Sequence, residues 1–351
     1  MIHEAVTELN FYAIIADEGS RMTGGYLMKA RIESFPTAKP EKLDVPAVAI
    51  QAMIKAIREE HKLELHSFLI LRHGKLIWEE YFRENEADAR HSLYSVSKSF
   101  TSTAIGLAEA QGLLSVEDKL YSFFPEHAAL CDSETKDRVK LKHLLMMGSG
   151  FENNEGKIFK DRKKNPDLVL GALSQPVIHE PGTVFNYYTL GTYLLSAAFS
   201  RVNPEGIHAY LKRKLFEPMG FAKSAWSKDL LGVPMGGFGL SLTAYDMLRL
   251  GQLYLQNGAW EGQQLLPASY VQAATAKQID NGPAASTSDW GAGYGYQFWR
   301  NTFGGFRADG MFGQYIVVLP DYDAVIVMTS HLNDMQVPLT VLREKLLPKL
   351  K

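Results

Sequence analysis

Strand-like runs near both ends of this 351-residue chain, separated by a long helical block, predict an α+β fold. The expected form is an antiparallel sheet flanked by helices, with an inserted mainly helical domain. Three observations carry this. The runs Ser67–Arg72 and Leu76–Phe82 precede the helical stretch, and Tyr294–Trp299, Tyr315–Leu319 and Ala324–Thr329 follow it. From about Ser95 to Arg213, apolar residues recur at helical spacing. Pairing the two ends into one sheet leaves the middle as an insertion, and the seam between them is a natural pocket. The expected organisation is an N-terminal extension over 1–45, a sheet domain from 46–94 plus 291–351, and a mainly helical insertion over 95–290.

Within the extension, Tyr26–Ile32 partly alternates and is a strand candidate, before Pro36, Pro40 and Pro46 punctuate the chain. Ala47–Lys62 places Val48, Ala52, Met53, Ala56 and Ile57 at helical intervals and reads as an amphipathic helix. His73-Gly74-Lys75 links the first two strands as a hairpin turn. Ser97–Gln111 is a helix closed by Gly112, and Thr189–Val202 is another, followed by Pro204. Asn153–Asp167, charged and glycine-containing, reads as a loop. Pro320–Asp323 turns between the last two strands, and Leu339–Leu347 closes the chain as a helix.

Charge and composition narrow the function. With 37 Lys+Arg against 39 Asp+Glu the formal net charge is −2, without the basic excess of a nucleic-acid binder. The single cysteine, Cys131, excludes an internal disulfide and a cysteine-rich metal site. The N-terminus does not read as a secretory signal, and no apolar run approaches the ~18–20 residues of a membrane span, so a cytoplasmic protein is expected. No metal or cofactor is expected: His61 and His66 straddle a helix end, and the other histidines are scattered. Gly291-Ala-Gly-Tyr-Gly295 lacks the spacing of a phosphate-binding loop and reads as tight backbone beside a strand.

Serine chemistry is the remaining candidate. Gly239-Leu-Ser-Leu-Thr243 misses the nucleophile elbow by its last glycine, and Ser241 reads instead as a cap of the following helix. The S-x-x-K pattern occurs twice, at Ser95-Val-Ser-Lys98 and Ser133-Glu-Thr-Lys136. On a helix, positions i and i+3 share a face, so the lysine amine can meet the serine hydroxyl. The helix N-terminus also offers the serine's own N–H to developing negative charge. To act as a base near pH 7, Lys98 must lower its pKa by about 3 units from ~10.4, which costs about 4 kcal/mol and requires burial or a nearby positive charge. Ser133 lies in a charged stretch that reads as a solvated loop. Ser95 precedes a small, apolar run that reads as a central buried helix, although an N-cap serine with a surface lysine is the structural alternative.

Tyr94–Ser102 and Gly112–Leu120 resemble the serine β-lactamase-like superfamily, and more closely its class C-related branch of esterases, D-amino-acid peptidases and 6-aminohexanoate-dimer-hydrolase-like amidases. The likeness continues in Lys142–Gly150, Glu180–Tyr188, Gly239–Met247 and Phe312–Pro320, in order over roughly residues 65–347. The resemblance implies a β-lactamase/transpeptidase-like fold with Ser95 at the junction of sheet and insertion. It implies Ser95 as acylated nucleophile, with Lys98 and Tyr187 as the proton-transfer pair. The backbone N–H groups of Ser95 and Met311 would form the oxyanion hole. Gly310, Thr189, Asp309 and Tyr188 become substrate-pocket candidates, and aromatic lining is expected from the insertion and from Tyr296–Trp299. Two departures stand out: Thr189 replaces the asparagine of the family's Y-x-N, and Ala308-Asp309-Gly310 replaces K-T-G or H-x-G. The implied function is a metal-independent serine hydrolase of a small-molecule ester or amide, with inefficient β-lactam hydrolysis. The alternatives are a catalytically weak penicillin-binding-protein-like homologue that only binds its ligand, or a D-amino-acid peptidase or weak β-lactamase. Oligomeric state is not readable from the sequence.

Overall fold

The computed structural model describes residues 35–82, 85–282 and 288–350. Its strands are β1 (Glu64–Arg72), β2 (Lys75–Tyr81), β3 (Arg90–Ser92), β4 (Ala225–Trp226), β5 (Leu240–Thr243), β6 (Ala259–Trp260), β7 (Gln263–Gln264), β8 (Trp299–Arg300), β9 (Phe306–Gly310), β10 (Gln314–Leu319) and β11 (Ala324–His331). Six of them form one antiparallel sheet in the order β2-β1-β11-β10-β9-β8. The chain's two ends meet at its centre, where Leu69 faces Val327. The β1–β2 hairpin turns through His73 at φ 47° and Gly74 at φ 68°. Two consecutive positive φ values match the twist of the flanking strands, and glycine takes the second without a Cβ clash.

Both sheet faces are covered, so the central strands carry apolar residues on each side. Leu69, Leu71, Ile316, Val318, Val325 and Val327 join the core shared with the helical block. Phe68, Ile70, Val317, Ile326 and Met328 face the other way, onto Ile50, Met53, Leu339, Leu342 and Leu346. Each such fully buried side chain contributes about 1.5–3 kcal/mol relative to exposure, and this sets the register. Among the described residues no helix is long and apolar enough to cross a membrane.

Several elements depart from the sequence pattern. The helix at Ala47–Lys55 continues as a π-turn over Ala56–Glu60. The closing helix begins at Gln336 and continues as π and 3₁₀ turns to Lys349. The expected loop 153–167 contains a helix at Glu155–Asp161, because Phe159 and Glu155 are drawn into the interior despite the charged composition around them. Tyr294–Trp299 is largely not a strand: Gln297 takes φ 65° and sends its amide to the carbonyls of Leu144 and Leu145, so only Trp299–Arg300 pairs with β9. Strand β9 itself escaped the pattern, since its Arg307 and Asp309 are buried and paired with each other rather than exposed. Ser241 lies within β5, and Thr243 is the cap, exchanging side-chain and backbone hydrogen bonds with Asp246. Ser133 caps a short helix, and Lys136 is buried with its amine on the Leu130 carbonyl, so that second S-x-x-K stretch is not a solvated loop. The strand candidate Tyr26–Ile32 lies outside the described residues.

Candidate active site

Ser95 sits on the 3₁₀ turn Tyr94–Val96 that leads into the Ser97–Ala110 helix. That helix is rich in hydroxyls yet buried from Ser97 to Ala108, which is tolerated because the hydroxyls are occupied. Ser99 donates to the Gln297 carbonyl at 2.7 Å, Thr101 to Gly236 at 2.9 Å, and Thr103 to the Ser99 carbonyl at 2.8 Å. Ser97 accepts from the Leu240 N–H at 3.2 Å. Polar ties to two distant segments, Gln297 and the strip from Gly236 to Leu240, thus fix the helix and the turn before it. Gly112, at φ 68°, ends the run in the left-handed conformation usual after a helix.

Lys98, only 1% exposed, donates to the Ser95 hydroxyl at 2.9 Å and to the Gly237 carbonyl at 2.8 Å. Its Nζ also stands 4.9 Å from the centre of the Tyr187 ring. The strip bearing Gly237 passes so close that a Cβ there would lie 2.7 Å from the Thr189 methyl and 3.6 Å from Lys98 Nζ. A side chain at 237 would displace the acceptor of the lysine. Nothing in the nucleophile motif announced this carbonyl; the pair Gly236-Gly237 was the available signal.

Tyr187 precedes the Thr189–Val202 helix and is pinned from behind. Asn153 donates its amide to the Tyr187 carbonyl at 3.0 Å. The buried Glu155 carboxylate accepts the N–H groups of Thr189 at 2.6 Å and Leu190 at 3.2 Å. A carboxylate on the first turn of a helix satisfies donors that lack intrahelical partners and complements the dipole. Asn153 and Glu155 were missed in the sequence, because both fall in the segment read as a loop.

The structure brings Ser95, Lys98 and Tyr187 together and leaves three pocket candidates out of the cluster. Tyr188 is 1% exposed, packs beside Phe151, and has no hydrogen-bond partner for its hydroxyl; burial pushes its phenol well above the ordinary value. Adjacent residues at the entry to a helix point in different directions, so the Tyr187 ring lies by Lys98 while Tyr188 is buried beside Phe151. Thr189 is fully buried against the Gly237 strip. Asp309 is buried and accepts from Arg307 Nε at 2.9 Å; burial raises its carboxyl, opposed by the Arg307 charge. Strand alternation accounts for this: Ala308 and Gly310 face the helical block, and Asp309 faces away.

Gly310 and Met311 lie where β9 meets the nucleophile turn. A Cβ at Gly310 would come 2.4 Å from the Leu93 carbonyl oxygen and 3.2 Å from a Val96 methyl. Glycine therefore lets the end of β9 close onto the segment holding Ser95. The residues beside the two expected N–H donors are both left-handed: Tyr94 at φ 46° and Phe312 at φ 63°. Their rings meet edge to face at 5.2 Å, and Phe312 stacks on His331 at 4.3 Å. Bulky residues hold such conformations only where packing enforces them, commonly at functional sites.

Of the expected aromatic lining, Tyr296 and Phe298 are core residues, whereas Trp299 and Phe185 are half-buried beside Tyr187. The Trp299 ring stacks on Tyr187 at 5.6 Å and 21°. Gly293 and Gly295 form the tight backbone expected there, a Cβ at 295 falling 2.1 Å from the Ala274 carbonyl. Among the described residues, no group of three or more His, Cys, Asp or Glu side chains is arranged to hold a metal ion.

Comparison with known proteins agrees with this geometry. The Beta-lactamase family profile matches residues 50–347. The chain is 25% identical over 338 residues to a 6-aminohexanoate-dimer hydrolase of Paenarthrobacter ureafaciens, covering 86% of this chain and 84% of that protein. Among solved structures, a protein of Bacillus anthracis provisionally assigned as a 6-aminohexanoate-dimer hydrolase superposes with a TM-score of 0.72 at 21% identity, covering 89% and 85% of the two chains. EstCE1, a hydrolase with promiscuous acyltransferase activity, superposes with a TM-score of 0.68 at 18% identity, covering 84% and 98%. An α+β chain with an S-x-x-K serine and lysine in hydrogen-bond contact, matched by the family over most of its length, belongs to the Beta-lactamase family as a serine hydrolase.

Proposed function

We propose that the protein hydrolyses an ester or amide of a small molecule through an acyl-enzyme on Ser95. The observation that carries this reading is the 2.9 Å contact between a buried Lys98 amine and the Ser95 hydroxyl, with the Tyr187 ring over the same amine. Ser95 Oγ attacks the carbonyl carbon, and its proton passes to the Lys98/Tyr187 pair. Negative charge gathers on the carbonyl oxygen, facing the N–H groups of Ser95 and Met311, each such donor being worth about 3–4 kcal/mol. The carbon–oxygen or carbon–nitrogen bond breaks, and the leaving group takes the proton. Water then attacks the Ser95 ester, releasing the acid and restoring the hydroxyl.

Burial supports the choice of base, since a desolvated amine is held less readily in its charged form. At the first position of the third motif, Ala308 is 1% exposed and offers no cation to a substrate carboxylate, so efficient β-lactam hydrolysis is not expected. The relative from Paenarthrobacter ureafaciens makes linear amides of 6-aminohexanoate the first amides to try. The net charge of −2 lacks the basic excess of a nucleic-acid binder.

The test is covalent labelling with a fluorophosphonate, followed by p-nitrophenyl esters, linear amides, D-amino-acid amides and a chromogenic cephalosporin. Each is run on wild type and Ser95→Ala. Labelling of wild type but not the variant, with turnover of at least one ester or amide, is expected. Failure of wild type to label or turn over any substrate would overturn the reading and favour a ligand-binding homologue.

A further inference from the structure

We infer that Trp299 is a positioning residue for the proton-transfer pair: it fixes the Tyr187 ring against Lys98 and is itself held by the buried Arg307. This rests on the proposed roles of Ser95, Lys98 and Tyr187, and it adds a residue that neither the nucleophile motif nor the tyrosine block contains.

The arrangement is a continuous series of contacts. The Tyr187 ring is bounded by Lys98 Nζ at 4.9 Å and by the near-parallel Trp299 ring at 5.6 Å. Trp299 in turn meets Tyr294 edge-on at 4.8 Å and Phe185 at 5.8 Å. It is the direct cross-strand partner of Arg307, whose guanidinium carbon lies 5.0 Å from the Trp290 ring centre and 5.9 Å from the Trp299 indole centre. Arg307 is fully buried and tied down: Nε donates to Asp309 at 2.9 Å, and Nη1 donates to the Asp289 carbonyl and to Asn301, each at 3.0 Å.

Tyr187 enters the site on the stretch just before a helix, where a ring has freedom to swing about χ1. Its backbone is anchored by Asn153, but a backbone anchor does not set the direction of the ring. The indole does, because a stacked face of that size leaves the phenol one orientation, the one that spans Lys98. The Arg307–Asp309 pair gives the indole a rigid backing on the sheet. This also gives Asp309 a place behind the site, three contacts removed from Tyr187 through Arg307 and Trp299.

The experiment is a double-mutant cycle in the full-length protein, with p-nitrophenyl acetate as substrate and thermal melts as a folding control. Trp299→Leu is expected to lower kcat by about tenfold or more, with KM changed less than about threefold. Trp299→Phe, which keeps a smaller aromatic face, is expected to lose about threefold. In a Tyr187→Phe background either substitution is expected to cost less than about twofold, because the group being positioned is gone. Equal losses in both backgrounds, or a loss confined to KM, overturn the inference.

A second readout does not depend on residual activity of Tyr187→Phe. The pH profile of kcat for the Trp299 variants is expected to move by about half a unit or more, because moving the phenol ring relative to the amine changes the interaction between the two groups. An unmoved profile overturns the inference. Fluorophosphonate labelling of Ser95 in wild type separates the two levels. If wild type does not label, the acyl-enzyme reading itself fails; if it labels while the Trp299 variants keep wild-type kcat and pH profile, only the positioning role fails.

Discussion

Replacing Gly310 by alanine tests whether the end of β9 helps build the reactive site. The added Cβ would sit 2.4 Å from the Leu93 carbonyl oxygen, and real Cβ contacts essentially never fall under 3.0 Å, so the two backbones must part by at least 0.6 Å. Neither side can yield cheaply. Leu93 immediately precedes the strained Tyr94 and the nucleophile turn, while Gly310 is locked to Gln314 across the β9–β10 ladder. The displacement falls on Met311, whose N–H is the proposed second oxyanion donor. A misplacement of about 1 Å costs roughly a hundredfold in rate, and loss of one donor costs about 10²–10³-fold. A fall in kcat of between about tenfold and about a hundredfold follows, with KM little changed. Overpacking also destabilises the fold by about 1–3 kcal/mol. Steady-state hydrolysis of p-nitrophenyl acetate, beside a thermal melt, separates the two effects. A cooperatively folded Gly310→Ala protein with kcat within twofold of wild type would refute the placement of the donor.

Other perturbations address the rest of the site and the scaffold. Lys98→Met keeps the buried volume but removes the amine on Ser95, so fluorophosphonate labelling should slow by about 10²–10⁴-fold while the melt stays cooperative. Glu155→Ala strips the acceptor from the Thr189 and Leu190 N–H groups and should destabilise the protein by about 1–3 kcal/mol in urea titration, with Glu155→Gln recovering part of the loss. Burial lowers His91 from its ordinary 6.5 to about 4, helped by the charge of the stacked His66, and likewise lowers His143 to about 4, helped by Lys142 and Lys140. A histidine whose folded pKa lies below its unfolded one stabilises fully above pH 6.5 and loses that contribution as pH falls toward 4, by about 3 kcal/mol for each group. Melts between pH 7 and 4 should show the decline, and His143→Gln should lessen it while the His91 contribution remains. His143 Nδ1 accepts the Lys140 N–H at 3.1 Å, a bond that protonation would remove.

The nucleophile was legible because its chemistry is local. Ser95 and Lys98 lie three residues apart, so helical geometry alone brings their side chains together. The hairpin at His73-Gly74 and the strands ending in Leu319 and beginning at Ala324 were equally local, written in turn residues and apolar runs. What the sequence concealed was held by distant partners. Gln297 looks like part of a strand until its amide is found on the Leu144 and Leu145 carbonyls. Glu155 looks solvated until it meets the start of a helix 34 residues later. Asp309 reads as a pocket residue until it is found paired with Arg307 inside the molecule. In each case a polar side chain lies inside the molecule because a specific partner waits there, and periodicity carries no record of partners.

The order of strands in the central sheet sets which parts of the site are made first. Leu69 and Val327 are neighbours across β1 and β11, although most of the chain separates them. During synthesis the serine, the lysine and the Gly237 carbonyl are all made before β9, β10 and β11 exist. Closing a loop of that length is slow and entropically costly. More than 200 residues lie between Ser95 and Met311, so the nascent chain carries its serine well before the proposed second oxyanion donor and the strands that hold it are made.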